Sequence, residues 1–488
     1  MGPEEYNALR LSIDATPEEI RQAYFDAAKL LHPDVNNNQK DNEKFLEIKK
    51  AYEVLIDPAK REKNDQFIAQ NEKIFKPLII NTKFSCSNIP RLDEPQLIYS
   101  LVEIESNPDI ENNTVPPVLI TLVVDKSTSM RGERLDDLKN NLQQFIDLLK
   151  ENELIAVIAF SDKAEELFFP KNREELEAVR SKIESLSASG STEIFQGLSA
   201  AVSLLRKYSN QNMIRYLLLL TDGHTYGDEE KCELLIKEAC SEGINFNAVG
   251  IGNDWNDRFL DRLSAIGGGE TLFVSTAKEM YNSVKNIINN ANVLSARSVT
   301  FDFLLDPAVK LTYAFRIKPN LSVLPVESPI NLGNLYFGKK LSILLEYQVQ
   351  PIDHHVNECR LSFGTIKAEI PSRSVKRARL FIDNKKQIVD EYQKEHIPTS
   401  IVDAMATLTL YRLQDKARTN LEEGNYTQAT RYLQNLATHL LAIGDRELAH
   451  TVLLEAESIQ SENRYSEDGE KKIKYGTRRL LMLPEPER

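Results

Sequence analysis

Apolar residues in this chain come in short runs, and the spacing within and between the runs changes from one region to the next. Five runs in the middle, Pro117–Val124, Leu154–Phe160, Tyr216–Thr221, Phe246–Ile251 and Thr271–Val274, alternate with stretches of helical period at about 135–150, 173–186, 193–207, 228–241, 256–266 and 278–291. Short, continuous apolar runs suit strands buried on both faces, and strand–helix alternation predicts a mostly parallel sheet covered on both sides. In such a sheet ligands gather beyond the carboxyl ends of the strands.

The flanks carry a different period. Residues 79–105 read as extended (LIINTKFSCSNI, then LIYSLVEIES) and end in an Asn/Pro-rich turn region at 107–117. Beyond the central region come SVTFDFLL, VKLTYAFRI, LSVLPV, LSILLEYQV, RLSFGTIKAEI and RARLFI, whose alternation fits half-exposed antiparallel strands. The economical solution is one β-sandwich built from 79–108 and 297–382, with an α/β domain at 116–295 inserted between its halves. From about Gln387 the period returns to helical, with breaks at Pro398, Gly424 and Gly444, giving a helical domain at 388–460 and a polar, mobile tail at 461–488. Asn420–Tyr426 followed by ATRYL resembles a tetratricopeptide hairpin, but about one and a half units are too few for a stacked groove, so packing against the sandwich is expected.

The N-terminal region reads as helix, longer helix, loop and helix: Tyr6–Leu9, Pro17–Leu31, the tripeptide His32-Pro33-Asp34, Asn42–Leu55, and a short basic stretch at Pro58–Lys63. Thr16 before Pro17-Glu18-Glu19 is an N-cap, a proline at the first helical position and acids in the first turn. Phe45, Ile48, Tyr52 and Leu55 recur at helical spacing opposite Ile20, Tyr24, Ala27 and Leu31, so two antiparallel helices bury one seam and present a loop at their tip. With YNALRLSIDATPEEIRQAY, LLHPDVN and KFLEIKKAYEVLIDPAKREKND, residues 4–67 resemble a J-domain, the module through which DnaJ-type co-chaperones stimulate a DnaK-type chaperone ATPase; a linker follows at 68–78. The resemblance gives His32, Pro33 and Asp34 the chaperone-coupling role. The second helix departs from the family, with Phe25, Asp26 and Leu30 where basic residues are frequent, while Arg21 and Lys29 are kept. Residues 1–70 hold ten basic and fourteen acidic side chains, a net charge of −4, which weakens electrostatic steering toward an acidic partner.

The chemistry of the central domain lies in three clusters: Asp125, Ser127 and Ser129 in VVDKSTSM, Thr192 in SGSTEI and Asp222 in LLLLTDG. All supply hard oxygen donors at or just past strand ends, and the Asp-x-Ser-x-Ser spacing lets alternate side chains converge from one turn. Such a set suits a small divalent cation, Mg²⁺ first, with Mn²⁺ or Ca²⁺ as alternatives. The pattern resembles the metal-ion-dependent adhesion site of von Willebrand factor type A domains, whose metal shell is often completed by a partner's carboxylate. Two enzyme readings fail. A dinucleotide fold wants a third glycine where Trp255 follows Gly250 and Gly252, and an aspartyl phosphotransferase wants an acid where Ser127 stands. No catalytic residue is assigned, and His224 reads as a polar loop residue.

Composition narrows the rest. The 488 residues suffice for three or four domains, and no apolar run reaches the ~18 residues that span a bilayer. Met1–Ala8 lacks a secretory pattern, so a cytoplasmic protein is expected. Cys86, Cys232, Cys240 and Cys359 show no metal spacing and read as reduced thiols. The net charge of −13 argues against nucleic acid as a partner, and the basic clusters Lys376–Arg379 and Lys471–Arg479 read as solvated. His354 and His355 near Cys359 read as a hairpin loop, and the glycosylation-like Asn112-Asn113-Thr114 is given no role. The expectation is therefore a multidomain α+β protein: an all-α J-domain, a Rossmann-like α/β domain inserted in an antiparallel β-sandwich, and a C-terminal helical region. Its expected function is that of a bacterial co-chaperone or adaptor, holding a protein partner through an acidic side chain at the metal site and recruiting a DnaK-type chaperone. The alternative is a scaffold or assembly factor whose J-domain no longer couples, and an AAA-type ATPase is a further candidate partner.

Overall fold

The computed structural model describes residues 4–9, 11, 15, 17–31, 39–65, 77–107, 116–148, 153–168, 176–209, 213–223, 225, 227–252, 255–291, 293–371, 377–390, 396–466 and 469–482. At the N-terminus, helices α1 (Glu4–Leu9), α2 (Pro17–Leu31) and α3 (Gln39–Leu55) enclose a small core of Tyr6, Leu9, Ile20, Ile48, Ala51 and Leu55. Tyr24 stacks on Tyr52 across the α2–α3 seam, with ring centroids 4.2 Å apart. Arg61 ties the far end down, donating to the Ala15 carbonyl at 2.7 Å and to the Tyr6 hydroxyl, which in turn donates to Asp65.

Two five-stranded sheets form the sandwich. Strands β1 (Leu78–Phe84), β2 (Ile89–Pro90) and β3 (Gln96–Ser106) precede the inserted domain. After it come β10 (Leu294–Leu304), β11 (Val309–Lys318), β12 (Ser322–Leu324), β13 (Ile330–Tyr336), β14 (Leu341–Val349), β15 (Glu358–Glu369) and β16 (Arg377–Val389). The sheet orders are β1-β3-β14-β11-β12 and β13-β10-β15-β16-β2, so both sheets combine strands from before and after the insertion. The chain leaves and re-enters the sandwich at nearly one point, because the Ser106 and Ser295 hydroxyls lie 2.6 Å apart.

The inserted domain has a six-stranded sheet, β6-β5-β4-β7-β8-β9, built from β4 (Val118–Asp125), β5 (Glu153–Phe160), β6 (Ala164–Phe168), β7 (Ile214–Thr221), β8 (Ile244–Ile251) and β9 (Thr271–Val274). Helices α4 (Glu133–Leu148), α5 (Leu176–Glu184) and α9 (Ala277–Ala291) pack on one face, and α6 (Ile194–Lys207), α7 (Glu229–Ser241) and α8 (Asp257–Gly267) on the other. All eight residues of β4 and of β7 are buried, which is why these strands carry no alternation. Each fully buried aliphatic side chain there contributes about 1.5–3 kcal/mol. Cys232 and Cys240 are free thiols inside this layer, and burial pushes the Cys240 thiol up to about 12.

The C-terminal region has α10 (Thr399–Glu422), α11 (Tyr426–Ile443), α12 (Arg446–Glu462) and α13 (Gly469–Met482). Leu101, Phe315 and Leu344 of the sandwich share a core with Ile401, Leu408, Leu433 and Ile459 of these helices. The sandwich also holds the inserted domain directly. Arg316, 1% exposed, donates to the carbonyls of Gly268 and Gly269 just beyond α8 and to that of Leu332 in its own domain.

Four expectations are corrected. Residues 461–488 are not simply a polar tail, since α13 packs on the inserted domain. Its basic residues are not all solvated: Lys472 is exposed, but Lys471 and Arg478 are buried, and Lys471, Lys474 and Arg478 share a helical face opposite Asp257 and Asp261. The return to helix is placed too early at Gln387, because β16 runs to Val389 and the next helix starts at Thr399. An antiparallel edge strand, β6, is added to the parallel sheet. Finally, His354 and His355 lie in a crossover between sheets and not in a hairpin, since β14 and β15 belong to different sheets.

Candidate functional site

Strand β4 ends in the middle of the parallel sheet, between β5 and β7, and delivers Asp125 to its carboxyl edge. The chain then turns, and the Ser127 amide donates to Asp125 Oδ1 at 2.8 Å, which closes the Asp-x-Ser turn. The hydroxyls of Ser127 and Ser129 lie 2.8 Å apart, and Ser129 donates to Asp222 Oδ1 at 2.7 Å. Asp222 follows β7, the neighbour of β4, so two adjacent strands place the two carboxylates side by side.

Thr192 arrives on a third segment. The Lys126 carbonyl accepts from the Ser189 amide at 2.8 Å, and the Gly190 carbonyl accepts from the Thr128 amide and hydroxyl. These bonds align the 189–192 loop with the first turn. Gly223 lets Thr192 approach, since a Cβ at that position would sit 3.0 Å from the Thr192 hydroxyl oxygen. The structure thus brings Asp125, Ser127, Ser129, Thr192 and Asp222 together at one sheet edge.

Burial separates their roles. Asp125 and Asp222 are fully buried, Ser127 and Thr192 nearly so, and Ser129 opens to solvent. Burial pushes the Asp125 carboxyl up to about 6, against the pull of the Thr221 hydroxyl and the Ser127 amide that hydrogen-bond its charged form. Two buried carboxylates side by side, one of them paired with an arginine, are electrostatically suited to a further cation. The donor set of two carboxylates and three hydroxyls suits a hard divalent ion better than zinc, and among the described residues no group of three or more His, Cys, Asp or Glu is arranged to hold a metal.

Two supporting residues escaped the sequence reading. Thr221, the last residue of β7, donates to Asp125 Oδ2 at 2.6 Å and accepts from the Gly223 amide at 3.2 Å. Its signal was the hydroxyl immediately before the motif aspartate. Arg134 donates to Asp222 Oδ2 at 2.7 Å from the first turn of α4, but one arginine at a helix start is not a distinguishing signal.

His32, Pro33 and Asp34 lie outside the described residues, as does His224. The helices around the tripeptide are described, and they end at Leu31 and resume at Gln39. On α2, Phe25 is 56% exposed, the neighbouring Asp26 accepts from Gln22, and Arg21 pairs with Glu18. A separate cavity of about 570 Å³ lies where α8, β12, α10 and α13 meet, and none of the five clustered residues lines it.

Three families match the chain: the DnaJ domain at residues 4–65, the von Willebrand factor type A domain at 120–290, and the Sll0103-like, C-terminal alpha-helical domain at 399–483. The chain is 24% identical over 380 residues to the uncharacterized protein sll0103 of Synechocystis, covering 75% of this chain and 89% of that one. It is 50% identical over 68 residues to the chaperone protein DnaJ of Carboxydothermus hydrogenoformans, spanning only 18% of that relative's length. The fold is shared with a von Willebrand factor type A protein from Catenulispora acidiphila, with a TM-score of 0.67, 12% identity, and coverage of 83% of this chain and 97% of that one. It is also shared with the ArnB paralog VWA2 from Sulfolobus acidocaldarius, with a TM-score of 0.54, 14% identity, and coverage of 84% and 100%.

Proposed function

We propose that this chain, which joins a DnaJ domain to a von Willebrand factor type A domain held in a β-sandwich with an Sll0103-like helical domain, is a metal-dependent protein-binding adaptor. In this reading Asp125, Ser127, Ser129, Thr192 and Asp222 hold a divalent cation, Mg²⁺ first, directly or through water. An acidic side chain of a protein partner completes the shell. His32, Pro33 and Asp34 couple the capture to a DnaK-type chaperone ATPase.

The observation that carries the reading is the convergence of hard donors from three separate segments, with Ser129 at the open side and both carboxylates buried beneath. Two carboxylates and three hydroxyls suit a cation whose shell is completed by an outside ligand, and on that ground binding is favoured over catalysis. The test is capture of a partner by the full chain in Mg²⁺, repeated in chelator and with Asp125→Ala. Capture lost in both supports the reading, and capture that survives both contradicts it.

A second reading, a scaffold whose J-domain has lost coupling, is favoured by one feature. The outer face of α2 shows Phe25 and Asp26 where a basic surface is expected, and residues 1–70 carry a net charge of −4. Stimulation of a DnaK-type chaperone ATPase by the full chain separates the two. Stimulation abolished by His32→Gln supports coupling, and none from the wild type supports the scaffold.

A further inference from the structure

We propose that Arg134 is a resident counter-cation of the metal cluster: it shares Asp222 with the divalent ion and sets the charge that the loaded site presents to its ligand. This rests on the metal-site reading above and extends it to a residue outside the five donors.

The seat of Arg134 is built. Asp222 is fully buried and uses both oxygens, accepting from Ser129 at Oδ1 and from the guanidinium at Oδ2, each at 2.7 Å. The Arg134 side chain is 37% exposed, so it reaches inward from the rim of the site. Its guanidinium lies against Gly252, which has φ +68° and where a Cβ would sit 3.3 Å from a terminal nitrogen. Gly252 is held in turn by its amide on the Val274 carbonyl at 2.9 Å and by the Trp255 indole N–H on its own carbonyl at 2.8 Å. The backing is therefore fixed by β9 on one side and by the fold's sole tryptophan on the other.

Charge then decides the consequence. Arg134 adds one positive charge beside the buried carboxylate pair, so the site is one unit more positive with the arginine than without it, in the metal-free and in the loaded state alike. The neighbouring Lys126 does not replace this charge, because it is paired with Glu165 at 2.9 Å. Arg134 thus works in two directions. It weakens metal binding by like-charge repulsion in a partly desolvated site, and it makes the loaded site more positive, which favours an anionic oxygen as the ligand. A guanidinium suits this role because it stays charged at every physiological pH.

The experiment uses the full chain and Mn²⁺ as the probe, with free Mn²⁺ read by electron paramagnetic resonance. Arg134→Gln keeps a hydrogen-bond donor and removes the charge, Arg134→Met removes both, and Arg134→Lys keeps the charge. Both uncharged variants are expected to bind Mn²⁺ at least about tenfold more tightly than the wild type, with Arg134→Lys within about threefold of it. A merely structural arginine predicts the opposite, since its loss would weaken binding. On the Mn²⁺-loaded proteins, the acetate concentration that displaces metal-bound water, read by proton relaxation, is expected to rise in the uncharged variants. Unchanged or weaker Mn²⁺ binding in Arg134→Gln and Arg134→Met with native circular dichroism, or an unchanged acetate response, overturns the proposal. No Mn²⁺ binding by the wild type, or binding retained in Asp125→Ala, instead overturns the metal-site reading beneath it.

Discussion

The junction between the inserted domain and the C-terminal helices turns on Asp257. It is the first residue of α8, 7% exposed, and it accepts from both terminal nitrogens of Arg418 at 2.9 and 3.1 Å and from Lys474. Burial alone would raise its carboxyl, but the Arg418 hydrogen bonds and the Lys474 charge outweigh that and hold it well below the usual carboxylate range. Asp257→Asn keeps the shape and removes the charge. Deleting one partner of a buried ion pair costs roughly 3–5 kcal/mol when the other is stranded. Here Arg418 retains Glu470 at 2.6 Å and Lys474 retains Asp261 at 2.8 Å, so the expected loss is smaller. About 2–3 kcal/mol is appropriate, or about 1 M in urea midpoint. Trp255 is the only tryptophan of the chain, is 2% exposed, and lies under Lys471 and Tyr475 of α13, so its emission reports this junction directly. A depressed carboxyl contributes stability above its unfolded pKa and loses it as pH falls through the lower folded value. The gap between wild type and variant is therefore expected to be constant above about pH 5 and to close below about pH 4. An unchanged Trp255 transition, or a gap that persists undiminished to pH 2, refutes the reasoning.

Two further predictions follow from the packing. Thr221→Val removes the hydroxyl that donates to Asp125 Oδ2 at 2.6 Å, and is expected to cost about 1.5–3 kcal/mol of stability and to weaken Mg²⁺ binding about tenfold, read by urea unfolding and calorimetry. Arg316→Met leaves the carbonyls of Gly268, Gly269 and Leu332 without their donor and is expected to destabilise by about 3 kcal/mol or more, with the inserted domain becoming more sensitive to protease.

The parts of this molecule that were legible in sequence are those whose information is local. The buried strands of the inserted domain declare themselves by unbroken apolar runs such as Leu217–Leu220, and the sandwich by alternation on both sides of them. Asp125, Ser127, Ser129 and Asp222 could be assembled because they sit at or just past the ends of β4 and β7, adjacent parallel strands whose carboxyl ends come together, whereas Thr192, expected at a strand end, reaches them on the loop before α6. The helix α13 was illegible for the converse reason. Lys471, Lys474, Tyr475 and Arg478 look like a solvated basic face until Asp257 and Asp261, more than two hundred residues earlier, are placed opposite them. Arg134 was missed because its role depends on Asp222 after β7 and one arginine at a helix start announces nothing, and Thr221, although its hydroxyl stands beside the motif aspartate, was missed because its partner Asp125 lies 96 residues earlier in β4. The edge strand β6 was missed because AEELF is short and charged, as an edge strand often is.

The most direct test of the account is calorimetric titration of Mg²⁺ into the metal-free full chain, beside Asp125→Ala under the same conditions. One equivalent is expected to bind to the wild type and none to the variant, with the variant's circular dichroism unchanged. Equal binding by the two proteins, or no binding by the wild type, contradicts it.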